Sequence, residues 1–319
     1  MRSSASRPRR AATTRGRRVL GCTRRRSVAF GFLISSQTGR GHPAGAGGLG
    51  YWTIVVDPEA AVTNPLPDYT ELVDTAVGAY WDVRRSQAER SQAQEGVLNP
   101  GLRAEVTGGR HFDELHALLV HVFIDAGIPA HLIDVKKRPV AGYFRRSKSW
   151  DVVVMVADRV AGIIELKSMG PNDPGKNFNN RTDEALGQAV DIWTAVERGI
   201  IDTPLRPWLG YFMLLEDNPA FTTAVKPQGA VWPPDRIFDG SSYSDRYGIF
   251  FERMVRERLL DAACVALGDK TTGAVRFPSD TLSFQSFAAA IHGRCLQFMA
   301  TNPDIDWNAP APDSAQDHP

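Results

Sequence analysis

Asp151, Glu165 and Lys167 have the types and spacing to do chemistry together. Glu165 and Lys167 are one residue apart, so on an extended strand both point to the same face. The flanks read as strands. Trp150-Asp151-Val152-Val153-Val154-Met155-Val156 is an apolar run behind a single acid, read as a central strand. Val160-Ala161-Gly162-Ile163-Ile164-Glu165-Leu166-Lys167 returns after a tight turn at Ala157-Asp158-Arg159. A turn centred on Asp158 sets Asp151 opposite Glu165, on a shared face. A turn centred between Asp158 and Arg159 breaks this register unless a bulge restores it.

Two carboxylates so placed repel, and a divalent cation with oxygen ligands, magnesium by preference, resolves the conflict. Such an ion binds a phosphate oxygen and lowers the pKa of an attacking water. Lys167 then orients that water or offsets charge on the phosphorus. The trio specifies phosphodiester hydrolysis better than acyl or glycosyl transfer, since a glycosidase pair needs no adjacent lysine. The plain alternative is a solvated strand edge carrying a chance Glu-x-Lys. Against it stands the position of each charge at the end of an apolar strand, where charge is costly.

The elements that must position this trio are legible in outline. Helical spacing of apolar residues runs from Asp68 or Thr70 to about Ala93, through Leu72, Val73, Ala76, Val77, Tyr80 and Trp81. A second helix spans roughly Phe112–Ala126, with Phe112, Leu115, Leu119, Val122 and Phe123 inward and Gly127 closing it. His131–Val135 reads as a short strand. After the hairpin, a polar loop at Ser168–Arg181 leads to a helix from Thr182, its N-cap, to about Glu197. Trp208–Leu215 is another apolar strand, and Tyr243–Leu267 and Leu282–Ala300 read as two further amphipathic helices. The segment Asn302–Pro319 is Pro- and Asp-rich and reads as frayed.

The charges near the trio fit a nucleic-acid partner. Lys136, Lys137, Arg138, Arg145, Arg146 and Lys148 put six basic residues within thirteen positions, a local patch able to grip phosphates. Lys176, Asn177, Asn179, Asn180 and Arg181 crowd the loop after the hairpin. Asn pairs with adenine and Arg with guanine in the major groove, so this loop is composed to read bases; it could equally be a helix entry. Asp113 and Glu114 are candidates for an additional acid, and Gln188 for a residue facing the site. His111, His116 and His121 recur every five residues, about 140° apart on a helix, and share no face for a zinc ion.

The whole chain bounds these readings. It has 319 residues, 37 Lys+Arg against 36 Asp+Glu, and 43% apolar content, an ordinary globular composition. The balance hides an asymmetry: residues 1–50 hold 11 arginines and no acid, leaving 26 basic against 36 acidic residues in the body. This basic segment reads as a disordered extension outside the fold, ahead of a DNA-contacting arm or an export signal. Its Gly45-Ala46-Gly47-Gly48-Leu49-Gly50 fits G-x-G-x-x-G, but an extended piece follows where the dinucleotide fingerprint needs a helix. Cys22, Cys264 and Cys295 show no zinc or disulfide spacing. No apolar run is long enough to span a membrane. There is no G-x-S-x-G and no phosphate-binding P-loop.

The hairpin resembles the PD-(D/E)xK nuclease superfamily, and the wider stretch resembles the XhoI-type restriction endonucleases. The resemblance rests on Thr107-Gly108-Gly109 with Phe112-Asp113, Gly142-Tyr143-Phe144-Arg145, Trp150-Asp151, Glu165-Leu166-Lys167-Ser168, and Asn177-Phe178-Asn179-Asn180-Arg181-Thr182 leading into Glu184-Ala185-Leu186-Gly187. It continues weakly through Tyr243 and Arg246-Tyr247 to Leu282-Ser283-Phe284 and Phe287-Ala288-Ala289-Ala290, covering most of residues 68–292 and none of 1–50.

That resemblance implies a type II restriction enzyme that cuts duplex DNA within CTCGAG, using magnesium, as a homodimer in the cytoplasm, with a DNA methyltransferase protecting the host. The family's catalytic acids and lysine fall on Asp151, Glu165 and Lys167. The metal ligands implied are Asp151, Glu165 and the Leu166 carbonyl. The fold implied is α/β, a restriction-endonuclease-like mixed β-sheet flanked by helices, with additional N- and C-terminal helices. Residues 1–54 are then a basic extension, 55–303 the endonuclease domain and 304–319 a frayed tail. Two rival readings stay open: a structure-specific repair or recombination nuclease of the same superfamily, and a non-catalytic DNA-binding protein with a remnant site.

Overall fold

A computed structural model of the protein describes residues 66–93, 112–133, 139–156, 159–203, 205–226 and 232–307. The basic extension, the three basic residues at 136–138 and the hairpin turn at 157–158 lie outside the described residues.

The described chain builds a five-stranded mixed sheet between two helical layers. In chain order the elements are α1 (Thr70–Ala93), α2 (Asp113–Asp125), β1 (Pro139–Val140), β2 (Lys148–Ser149), β3 (Val152–Val156), β4 (Arg159–Met169), α3 (Pro174–Glu197), β5 (Trp208–Glu216), α4 (Pro219–Thr222), α5 (Tyr243–Arg256), β6 (Ala262–Gly268), β7 (Val275–Arg276) and α6 (Phe284–Thr301). Strands β1 and β2 form a separate antiparallel pair; the main sheet runs β3-β4-β5-β6-β7. Its ends, β3–β4 and β6–β7, pair antiparallel, while β4–β5 and β5–β6 are parallel.

Strand alternation sorts the core into two halves. Val152, Val154, Ile164, Leu166, Phe212 and Leu214 face a layer holding α1, α2 and α6. Val153, Ile163, Tyr211, Met213 and Val265 face the layer of α3 and α5. Strands covered on both faces read as unbroken apolar runs, which is why β3, β5 and β6 show no polar alternation.

Local chemistry sets the helix boundaries. Asp68 Oδ1 accepts from the Thr70 backbone N–H at 3.0 Å and starts α1. Gly127, at φ 98°, closes α2 in a conformation that costs a residue without Cβ little. Ser242 and Asp245 form a reciprocal capping box on α5.

The structure corrects several expectations. Leu72, placed inward on α1, is 43% exposed, whereas Val73, Ala76, Val77, Tyr80 and Trp81 are buried. A 3-10 turn at Ala130–Leu132 stands where the expected strand was to begin, and residues 134–135 of that strand lie outside the described residues. Strand β3 lies at the edge of the sheet; its apolar run reflects helices on both faces, not a central place.

Helix α3 begins at Pro174, well before Thr182, so the polar loop from Gly175 to Arg181 is its first two turns. Asp173 accepts from the Lys176 N–H at 3.2 Å, and Pro174 opens the first turn, where its missing N–H costs nothing. Helix α5 stops at Arg256, after which Arg258 adopts φ 60° and the chain turns into β6. The Ala-rich run Ala262–Ala266 has a helix former's composition, but the slot beside β5 makes it a fully buried strand. Residues past α6 are not loose as far as Trp307: Arg159 bonds Asn302 and Asp304, and Trp307 meets Phe298 edge-on.

Candidate active site

The hairpin brings the trio together by a corrected register. Near the turn the pairs are Val156 with Arg159 and Met155 with Val160; beyond a bulge they become Val154 with Gly162, Val153 with Ile163 and Val152 with Ile164. Ala161, the extra residue on β4, thus shifts the register by one and restores the pairing that points Asp151 toward Glu165. The bulge is supported from α6: buried Arg294 donates from Nε to the Ala161 carbonyl at 2.9 Å.

Asp151 sits in a bend just before β3. Its Oδ2 accepts the Leu166 backbone N–H at 2.9 Å and stands 3.4 Å from Lys167 Nζ. Glu165 is 1% exposed, on the face toward α3, and directly contacts Lys167 through Oε1. Lys167 Nζ also reaches the Leu166 carbonyl at 3.1 Å. One ammonium therefore lies against three oxygens, Asp151 Oδ2, Glu165 Oε1 and Leu166 O, the same three that the resemblance implies as metal ligands.

Sequence reasoning missed two contributors, and it held a third only as a candidate. Lys148, grouped with the phosphate-gripping patch, turns inward: its Nζ donates to Glu165 Oε1 at 3.0 Å and stands 2.9 Å from Oε2. It also lies 4.6 Å over the Trp150 ring, a cation–π contact. Its alternation with buried Trp150 was the available signal. Gln188, the candidate, is buried on α3 with Nε2 3.4 Å from Glu165 Oε1. Tyr211 lies beside Glu165 on β5; burial first, and then the Glu165 charge, hold its hydroxyl well above the usual phenol range.

The second missed residue is Asp191, buried on α3. Its Oδ1 accepts the backbone N–H groups of Phe144 and Arg145 at 2.6 and 3.2 Å, and its Oδ2 accepts Arg145 Nε at 3.1 Å. A Cβ at Gly142 would come within 2.2 Å of that carboxylate, so glycine is needed where the loop presses on α3. Arg145, expected on DNA, is thus partly engaged in holding its own loop.

The remaining expected contacts divide by exposure. Arg146, Lys176, Asn179 and Asn180 are exposed; Asn177 and Arg181 are half-buried, bonded to the Asn172 carbonyl and to Glu184 respectively. On the first turns of α3, Lys176, Asn179 and Asn180 fall on one side by helical spacing. Asp113 and Glu114 are exposed on α2, in the opposite layer, and the structure does not bring them to the trio. Among the described residues no three His, Cys, Asp or Glu side chains gather to hold a metal. Among these residues no helix is long and apolar enough to cross a membrane.

A mixed sheet whose edge hairpin presents an acid, a second acid and a lysine, between two helical layers, defines a restriction-endonuclease-like nuclease fold. The chain belongs to the family described as Restriction endonuclease XhoI, whose model matches residues 91–278. Similar proteins include the type II restriction enzyme BstVI of Geobacillus stearothermophilus, 39% identical over 190 residues, 56% of this chain and 83% of that enzyme. Type II restriction enzyme XhoI of Xanthomonas vasicola is 34% identical over 194 residues, 60% of this chain and 77% of that one. AbrI of Azospirillum brasilense is 35% identical over 156 residues, 48% and 69%. No solved structure matches the chain significantly.

Proposed function

We propose that this type II restriction endonuclease cuts both strands of duplex DNA within CTCGAG, using magnesium, as a homodimer partnered functionally by a protective DNA methyltransferase. The observation that supports it best is the convergence of Asp151 Oδ2, Glu165 Oε1 and Leu166 O on one cation, the Lys167 ammonium. The donor set suits magnesium: all oxygen, two of them carboxylates. Gln188 Oε1 adds a buried oxygen that accepts no hydrogen bond among the described residues, and buried Glu165 Oε2 is met by the Lys148 ammonium at 2.9 Å.

Asp151, Glu165 and the Leu166 carbonyl would hold the ion. When bound it supplies charge neutralisation at the phosphate and acidifies a water. The chain's own groups do the rest. Asp151, tied to the Leu166 N–H, fixes the distance between the two strands at the reacting end. Lys167 orients the attacking water in line with the scissile bond and offsets charge on the phosphorus, leaving a 5′-phosphate. Lys176, Asn179 and Asn180, presented by the N-terminal turns of α3, offer donors and acceptors to base edges, as helix N-termini do in the major groove. A palindrome read by one surface requires its two-fold copy.

Incubating the protein with a plasmid carrying a single CTCGAG, with magnesium or with EDTA, and sequencing the ends tests this. A single magnesium-dependent cut inside that site is expected. Cutting elsewhere discards the specificity, and DNA binding without any cut favours a remnant site.

A further inference from the structure

Glu165 is held from two sides, and only one of its lysines belongs to the Glu-x-Lys pair. Lys148 covers both carboxylate oxygens, at 3.0 and 2.9 Å, from a strand outside the main sheet. That strand, β2, has only two residues and, among the described residues, pairs only with β1, so little backbone anchors it. The lysine side chain is 16% exposed while the carboxylate is 2% exposed. Lys148 therefore lies at the lip of the site, two residues after exposed Arg146.

The charges explain why it is there. Asp151 and Glu165 carry two negative charges in a largely dry place, and Lys148 and Lys167 carry two positive ones, so the four balance. A divalent ion added to that set leaves two uncompensated charges where charge is expensive. With the scissile phosphate also present and Lys148 gone, the sum returns to zero.

We propose that Lys148 is a displaceable internal counter-ion: it occupies Glu165 in the free protein and transfers to a DNA backbone phosphate when the duplex docks, opening Glu165 to the divalent ion. This rests on the metal-site reading above and adds to it a coupling between DNA and metal, carried by one side chain. Linkage makes the coupling reciprocal, so metal also tightens DNA binding by the same factor. In this scheme Lys148 acts on the metal through Glu165 and on the duplex through a backbone phosphate.

Calcium titration by calorimetry, on protein alone and with a CTCGAG duplex, tests the proposal in the wild type, Lys148→Met and Lys148→Arg. In the wild type the duplex should tighten calcium by a factor of about 5–150, the usual range for coupled sites. Lys148→Met should bind calcium at least about 5-fold tighter than wild type without DNA and lose most of the duplex effect. Lys148→Arg should keep the wild-type pattern. A gain of affinity cannot come from misfolding. Unchanged or weaker calcium binding by Lys148→Met, with a normal duplex effect in the wild type, overturns the counter-ion role and leaves the metal site standing. No calcium binding by the wild type even with duplex overturns both.

Discussion

Lys167 is the residue on which the three oxygens of Asp151, Glu165 and Leu166 meet, and its position fixes what its loss should do. Lys167→Ala keeps both carboxylates and removes the group proposed to orient water. Cleavage should fall by about 10²–10⁴-fold, the range for a lost proton-handling group, while calcium-supported DNA binding in a gel-shift assay stays near wild type. Retained cleavage would take Lys167 out of the mechanism. The trio itself was legible because strand periodicity is strict: an acid and a lysine two apart must share a face. Lys148 was not legible as a partner of Glu165. Seventeen positions separate them, and sequence places a lysine beside two arginines in a solvated patch until the fold turns it inward.

At the scale of elements, α3 does two jobs that its sequence obscures. Its first turns carry the Asn-rich stretch, and its middle carries Gln188 and Asp191 toward the site and loop. The Asn and Gly residues read as a loop because their intrinsic helix propensity is poor; a Pro at the first turn and an Asp cap outweigh that. Asn180→Ala should cost about 1–3 kcal/mol of binding at CTCGAG and relax base preference at one position of each half-site, measured by competition among single-base variants. Uniform loss across all sequences would make Asn180 a backbone contact instead. Asp191→Ala strands the loop donors at Phe144 and Arg145 and should cost about 1–3 kcal/mol in urea unfolding. Strand β6 stayed hidden for a related reason: alanines favour helix locally, and only the neighbouring β5 decides otherwise.

The whole molecule is an acidic body with a basic N-terminal segment, and the trio, the loop and α3 all lie within residues 142–197 of the body. Deleting residues 1–50 should leave cleavage within a few-fold, and a large loss at physiological salt would assign that segment to phosphate binding. Stability should fall in mild acid through His292. Burial holds its pKa below the usual 6.5, opposed by Asp125, and Tyr69 Oη lies 2.9 Å from its ring. The unfolded chain therefore takes the proton first, and the stability that a neutral ring contributes above pH 6.5 is lost as pH drops through the lowered folded value. Urea unfolding at pH 7.5 and 5.5 should show a smaller drop in His292→Asn than in wild type. The bulge at Ala161 has a consequence in time. Its carbonyl is capped by Arg294, 133 residues further along the chain, so the support that keeps Asp151 in phase with Glu165 is among the last parts of the domain to leave the ribosome. An unfinished chain, ending before α6, carries every residue of the trio yet lacks the brace that aligns them.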